Sequence, residues 1–174
     1  MKKYQIIYAD PPWQFFKKGG RGRAEAHYPT MSIEDIMALG GAIKEFEAQW
    51  LFLWATCADL PRAFDVIKAW GFTYKTMFTW VKPQMGIGNY FRTSTEHLLL
   101  GVTKPSSFKF NGQMNWIIAP RQAHSQKPEE VYDIIDRCVE GNKIELFARK
   151  KRQGWDVWGN EVESDIELLT RKDS

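Results

Sequence analysis

Asp10-Pro11-Pro12-Trp13 places an acid, two prolines and an indole in succession, directly after the apolar run from Tyr4 to Ala9. Proline lacks an N–H, so Pro11 and Pro12 offer carbonyl acceptors without competing donors beside the Asp10 carboxylate. That grouping suits an amine. An amino group donating one hydrogen bond to Asp10 and another to the Pro11 carbonyl keeps its nitrogen lone pair for attack on an electrophile. Trp13 then offers a flat face on which a planar base can stack, as aromatic side chains do for unstacked nucleobases. The same four residues also suit the plain end of a strand and a turn. A short apolar run stopped by an acid and two prolines reads as a buried strand, and its carboxyl end is where open α/β sheets bind ligands.

Two further groups of residues carry charge in suggestive places. Lys17, Lys18, Arg21 and Arg23 are interleaved with Gly19, Gly20 and Gly22, a pattern that fits either a phosphate-contacting loop or a solvated one. Lys127-Pro128-Glu129-Glu130 has the marks of a helix start, with proline and acids in the first turn. Read alone, Lys127 is a surface cation, Arg149 the partner of a nearby acid, and Asn160 a turn cap.

The rest of the chain supplies the elements that must hold these groups. Ser32 and Asp35 form a capping pair opening a helix from Ile33 to Leu39, which Gly40-Gly41 is expected to end. Gln49 to Thr56 reads as a buried parallel strand, Leu60 to Trp70 as a helix closed by Gly71, and Phe72 to Val81 as a strand. Glu96 to Thr103 is another strand, Trp116 to Ala119 a short apolar piece, Lys127 onward a helix ending at Gly141, and Lys143 to Ala148 the last clear strand. Strands alternating with helices predict a doubly wound α/β domain over residues 1–163, with a frayed tail over 164–174.

Composition narrows the classes. At 174 residues, 44% hydrophobic and 26% charged, with a net charge of +3, the chain is mildly basic, which permits nucleic acid as a partner without demanding it. Cys57 and Cys138 show neither metal-ligand spacing nor a disulfide pattern and read as free thiols, and no metal is expected. No apolar stretch has transmembrane length and no signal segment is seen, so the expected location is cytoplasmic, in a bacterial or phage-infected cell. The GxGxxG fingerprint and the P-loop are both absent.

With the whole chain laid out, it resembles the MTA-type adenine-N6 methyltransferases, a family that includes the eukaryotic messenger-RNA adenosine methyltransferase and many bacterial and phage DNA enzymes. The resemblance rests on Asp10-Pro11-Pro12-Trp13, on Tyr28-Pro29-Thr30-Met31-Ser32, on the block from His124 to Glu130, and on Ile144-Glu145-Leu146-Phe147-Ala148-Arg149 followed by Trp155 and Gly159-Asn160. It implies a Rossmann-like fold in circularly permuted motif order, with S-adenosylmethionine as cofactor. By the same resemblance Asp10, Pro11, Pro12 and Trp13 hold the target amine and base. Asp10, Tyr28, Lys127, Glu145, Phe147, Arg149, Asn160 and Glu161 face the cofactor, with Lys127 on its carboxylate and Tyr28 closing over it. Glu161 departs from the amide common in relatives. Larger relatives carry nucleic-acid-binding domains for which no counterpart is expected here, so sequence preference is expected from short loops, from a second subunit, or to be weak. The expected substrate is DNA, with RNA, or a non-catalytic nucleic-acid-binding role, as the alternatives.

Overall fold

Alternation in the first strand decides the layers. In the computed structural model, which describes residues 2–14, 30–88, 90–122 and 126–168, Ile7 and Ala9 face one core while Ile6 and Tyr8 face a second, as the two-residue period of a strand requires. The elements are β1 (Ile6–Ala9), α1 (Ile33–Ala38), α2 (Gly40–Lys44), β2 (Trp50–Thr56), α3 (Leu60–Ala69), β3 (Thr73–Val81), β4 (Thr95–Val102), β5 (Trp116–Ile118), α4 (Glu130–Cys138), β6 (Lys143–Leu146) and β7 (Asp156–Trp158). The first core packs under residues of α1, α2 and α3, and the second under α4. The sheet between them is thus covered on both faces.

Seven strands lie in the order β5-β3-β4-β2-β1-β6-β7. β1 pairs in parallel with β2 on one side and β6 on the other, so the chain reverses its direction of winding around β1. Ligands of open α/β sheets bind outside the carboxyl ends of strands at such a reversal. β4 is antiparallel to both β2 and β3, which makes the sheet mixed and limits the expected parallel environment of β2 to its β1 side. That orientation brings the start of β4 to the same edge as the ends of β1, β2 and β3.

Three local differences from the sequence expectation have physical causes. Ser32 does cap α1, accepting from the Asp35 N–H, but Gly40 and Gly41 open α2 instead of closing a helix. A Cβ on Gly40 would lie 2.7 Å from the Ala69 carbonyl oxygen, so this glycine permits close approach to the end of α3. β6 stops at Leu146 because Phe147 turns to φ 63°, in the left-handed region that a bulky residue rarely adopts. Residues 165–168 are docked. Asp165 accepts from the Val157 N–H at 3.0 Å and its own N–H donates to the Val157 carbonyl at 2.8 Å, while Leu168 is buried in the first core; the expected fraying from Ser164 does not hold through residue 168. Among the described residues no helix is long and apolar enough to cross a membrane.

Candidate active site

At the carboxyl edge of the sheet, four side chains form a line of alternating charge. Lys127 Nζ donates to Asp10 Oδ2 at 2.6 Å and lies 3.3 Å from Glu96 Oε2. Lys82 donates in turn to the other Glu96 oxygen. Asp10 follows β1, Lys82 follows β3, Glu96 is the second residue of β4, and Lys127 precedes α4. Underneath is an aromatic floor: Lys127 sits 5.5 Å from the Trp54 ring centre and Lys82 4.4 Å from that of Trp80, with the two indoles edge to face. Ammonium groups over aromatic faces gain from the ring quadrupole, and more so where water is excluded.

Burial pushes the Asp10 carboxyl above its ordinary value, against the opposing pull of Lys127. Burial would raise Glu96 too, but Lys127 and Lys82 together overcome it and hold that carboxyl below its usual value. Lys127 is depressed by burial yet lifted on balance by Asp10 and Glu96. The lysine therefore stays charged, and Asp10 is the member of the line with the weaker hold on its charge.

The Asp10–Trp13 turn differs in part from the sequence expectation. The Pro11 carbonyl already accepts from the Trp13 N–H at 2.9 Å, and Pro12 accepts from the Met31 N–H at 2.9 Å. A carbonyl has two lone pairs, so Pro11 retains one for a substrate amine. Trp13 is only 6% exposed, and its indole N–H donates to the Trp54 carbonyl at 3.1 Å. Its ring fills the first core and fixes the turn rather than presenting an open stacking face. Trp13→Phe is accordingly expected to lower stability by about 1–3 kcal/mol in urea denaturation, because it orphans a buried carbonyl; an unchanged midpoint would contradict the hydrogen-bonded role.

Two cavities meet at Asp10. One of about 380 Å³ is lined by Pro12, Met31, Phe147, Arg149, Asn160 and Glu161 besides Asp10, and the other, about 180 Å³, by Tyr8, Gln126, Lys127, Glu145 and Lys150, again with Asp10, Phe147 and Arg149. The positive φ of Phe147 places its ring at this junction, 5.4 Å from Trp158. Backbone held in so sparse a region persists where its surroundings over-determine it, as ligand sites do. Arg149 Nε lies 3.5 Å from Glu161 Oε1, so these two sequence candidates are indeed neighbours. Gly159 approaches Ala148 so closely that a Cβ would lie 2.2 Å from its carbonyl oxygen, which keeps the Asn160–Glu161 segment against the cavity wall. Tyr28 and the cations Lys17, Lys18, Arg21 and Arg23 lie outside the described residues.

Glu145 accepts a hydrogen bond from the Tyr132 hydroxyl at 3.0 Å, and its pKa is pushed up to about 7, chiefly by burial. A carboxyl whose pKa rises on folding binds its proton more tightly in the folded state. Stability should then fall as pH rises from about 5 to about 7 and level off above, by roughly 2–3 kcal/mol in all. Glu145→Gln keeps the acceptor for Tyr132 and should flatten that slope in denaturation at several pH values; an unchanged slope would remove Glu145 from the account.

A third cavity, about 440 Å³, opens at the Lys82–Glu96 pair and is lined by Thr56, Trp80, Lys82, Glu96, Arg121 and Gln126, among others. Gln126 also lines the 180 Å³ cavity, so the two are adjacent. Glu96 and Lys82 were absent from the sequence candidates. One signal was there to find: Glu96 is the single acid between Asp65 and Glu129.

The MT-A70 family matches residues 4–161. The type II methyltransferase M.MunI of Mycoplasma sp is 32% identical over 98% of this chain and 83% of its own. An N(6)-adenosine-methyltransferase MT-A70-like protein of Drosophila melanogaster is 30% identical, and the human N(6)-adenosine-methyltransferase catalytic subunit METTL3 28%, over 97% and 96% of this chain. Those two matches span 29% of the longer eukaryotic proteins. With its acid, lysine and joined cavities at the carboxyl edge of the sheet, the chain belongs to the MT-A70 family of S-adenosylmethionine-dependent N6-adenine methyltransferases.

Proposed function

We propose that this chain methylates the exocyclic N6 amine of adenine in DNA. The observation that carries the reading is Asp10 at the junction of two cavities, tied through Lys127 to a third. DNA is favoured over RNA by the match to a type II methyltransferase over most of both chains. The intact Asp10–Trp13 turn favours an enzyme over a non-catalytic subunit.

The residues present fit the cofactor. The paired cavities offer cations at Lys127 and Arg149, carboxylates at Glu145 and Glu161, and an aromatic ring at Phe147, a set matched to a molecule with a carboxylate, an ammonium, ribose hydroxyls and an adenine. Lys127 would meet the carboxylate, Glu145 the ammonium, Asn160 and Glu161 the ribose, and Phe147 the adenine, with Arg149 holding Glu161 in place. Tyr28 would cover them. When bound, S-adenosylmethionine supplies a methyl group made electrophilic by its sulfonium. Everything else falls to the protein.

The target adenine, drawn out of its helix because its amine cannot be approached inside a duplex, would enter the 440 Å³ cavity. Its amine would donate to Asp10 and to the second lone pair of Pro11. Lys127 positions the carboxylate, and Asp10 stabilises the positive charge that grows on nitrogen, the kind of preorganised contribution that dominates many enzyme sites. Lys17, Lys18, Arg21 and Arg23 would meet phosphate. Matched DNA and RNA oligonucleotides, incubated in parallel across a salt series, test the substrate. Adenine in DNA should be methylated faster, with binding that weakens steeply as salt rises; product in RNA with none in DNA would overturn the choice of substrate.

A further inference from the structure

Residues 66–128 carry eight lysines and arginines against one acid, Glu96, and Glu96 is engaged by Lys82 and Lys127. This cationic stretch contains β3, β4 and β5. At its site-facing edge, the turn joining β3 to β4 displays Met85, Ile87, Tyr90 and Phe91 at 77%, 85%, 97% and 94% exposure.

The turn is built rather than loose. Gly86 lies so close to Thr93 that a Cβ would sit 1.8 Å from its carbonyl oxygen, and Gly88 stands in the same relation to Phe91 at 2.1 Å. Arg92 donates to the Gly88 carbonyl at 3.2 Å, and the Arg121 N–H to Gln84 Oε1 at 3.2 Å. Asn89 lies outside the described residues; on either side of it the turn is held at these points yet shows large apolar side chains to water, as interaction surfaces do.

Resting on the reading of adenine in DNA as substrate, we propose that this turn enters the duplex at the target adenine, Tyr90 and Phe91 stacking on the bases that the extruded adenine leaves behind. Ile87 lines the 440 Å³ cavity, so the turn borders the space assigned to the extruded base. Drawing a base out costs stacking, and apolar side chains inserted between base steps offset that cost. Arg92, next to Phe91 in the chain, and Arg121, packed against Gly86, give the turn charge suited to phosphate. An isologous contact with a second copy is disfavoured, because it would set this cationic stretch against itself.

The test is the double variant Tyr90→Ser/Phe91→Ser, at positions too exposed to support the core, assayed on native and heat-denatured unmethylated plasmid DNA. Methylation of the duplex should fall at least about 10-fold, within the range that loss of stacking on a single base already gives. Denatured DNA, with no stack to fill, should lose less than about 3-fold. S-adenosylmethionine affinity by calorimetry and elution volume in gel filtration should be unchanged. Equal losses on both DNA forms, or none on either, would overturn the proposal. So would a wild-type dimer that the double variant dissolves, which would make the turn a self-association surface. Wild-type protein that methylates no nucleic acid at all defeats the functional reading instead, and duplex binding then judges the turn by itself: equal binding by wild type and double variant would overturn it.

Discussion

Asp10→Asn should lower turnover by at least about a hundredfold while leaving the protein folded, in line with the 10²–10³ lost when one preorganised stabilising group is removed from an active site. The amide keeps the size of the side chain but loses the charge proposed to meet the developing ammonium. Its NH₂ group also adds donors where the substrate amine and Lys127 both need acceptors. Stability moves the other way. Since burial raises the Asp10 pKa, its ionised form is the one the fold disfavours, so that contribution to stability is lost as pH rises through the carboxylate range and is not there to lose at pH 8. Lys127 keeps Glu96 as a partner. Single-turnover kinetics beside thermal melts check both parts, and an Asn variant with wild-type turnover would remove Asp10 from the chemistry.

Lys127→Met is expected to be the most destabilising of the substitutions considered, by about 3–5 kcal/mol, because it leaves two partly buried carboxylates without the cation between them. Without Lys127, Asp10 and Glu96 should both rise in pKa. Acids raised on folding lose stability as pH increases, so the deficit should be larger at pH 8 than at pH 5. The double variant Lys127→Met/Asp10→Asn should recover much of the stability and none of the activity. A single variant as stable as wild type at pH 8, with only its cofactor affinity lost, would make Lys127 a ligand contact and nothing more.

What was legible in the sequence follows from the range of the interactions involved. The Asp10–Trp13 turn, the Ser32 cap and the Gly71 stop are local, and residue type alone announces them. Glu96 is non-local: only the antiparallel course of β4 brings it to the edge where β1 and β2 end, and no periodicity signals which way a strand runs. Trp13 was misleading for a related reason, since a tryptophan beside two prolines suits either a stacking face or a core plug, and the acceptor that decides, the Trp54 carbonyl, is 41 residues away. Gly40 likewise looked like a helix stop until α3 supplied the surface it packs against. Arg149, Asn160 and Glu161 were found through the family pattern, and the left-handed turn at Phe147 supplies the physical reason they gather at one wall.

Incubating the purified protein with S-adenosylmethionine labelled in its methyl group and unmethylated duplex DNA, then digesting the DNA and identifying the labelled nucleoside by mass spectrometry, decides whether the methyl group goes to N6 of adenine through Asp10. Label should appear in N6-methyldeoxyadenosine and be absent from the Asp10→Asn reaction; label on another base or another atom of adenine, or equal label in both reactions, would rule out Asp10-directed N6 methylation.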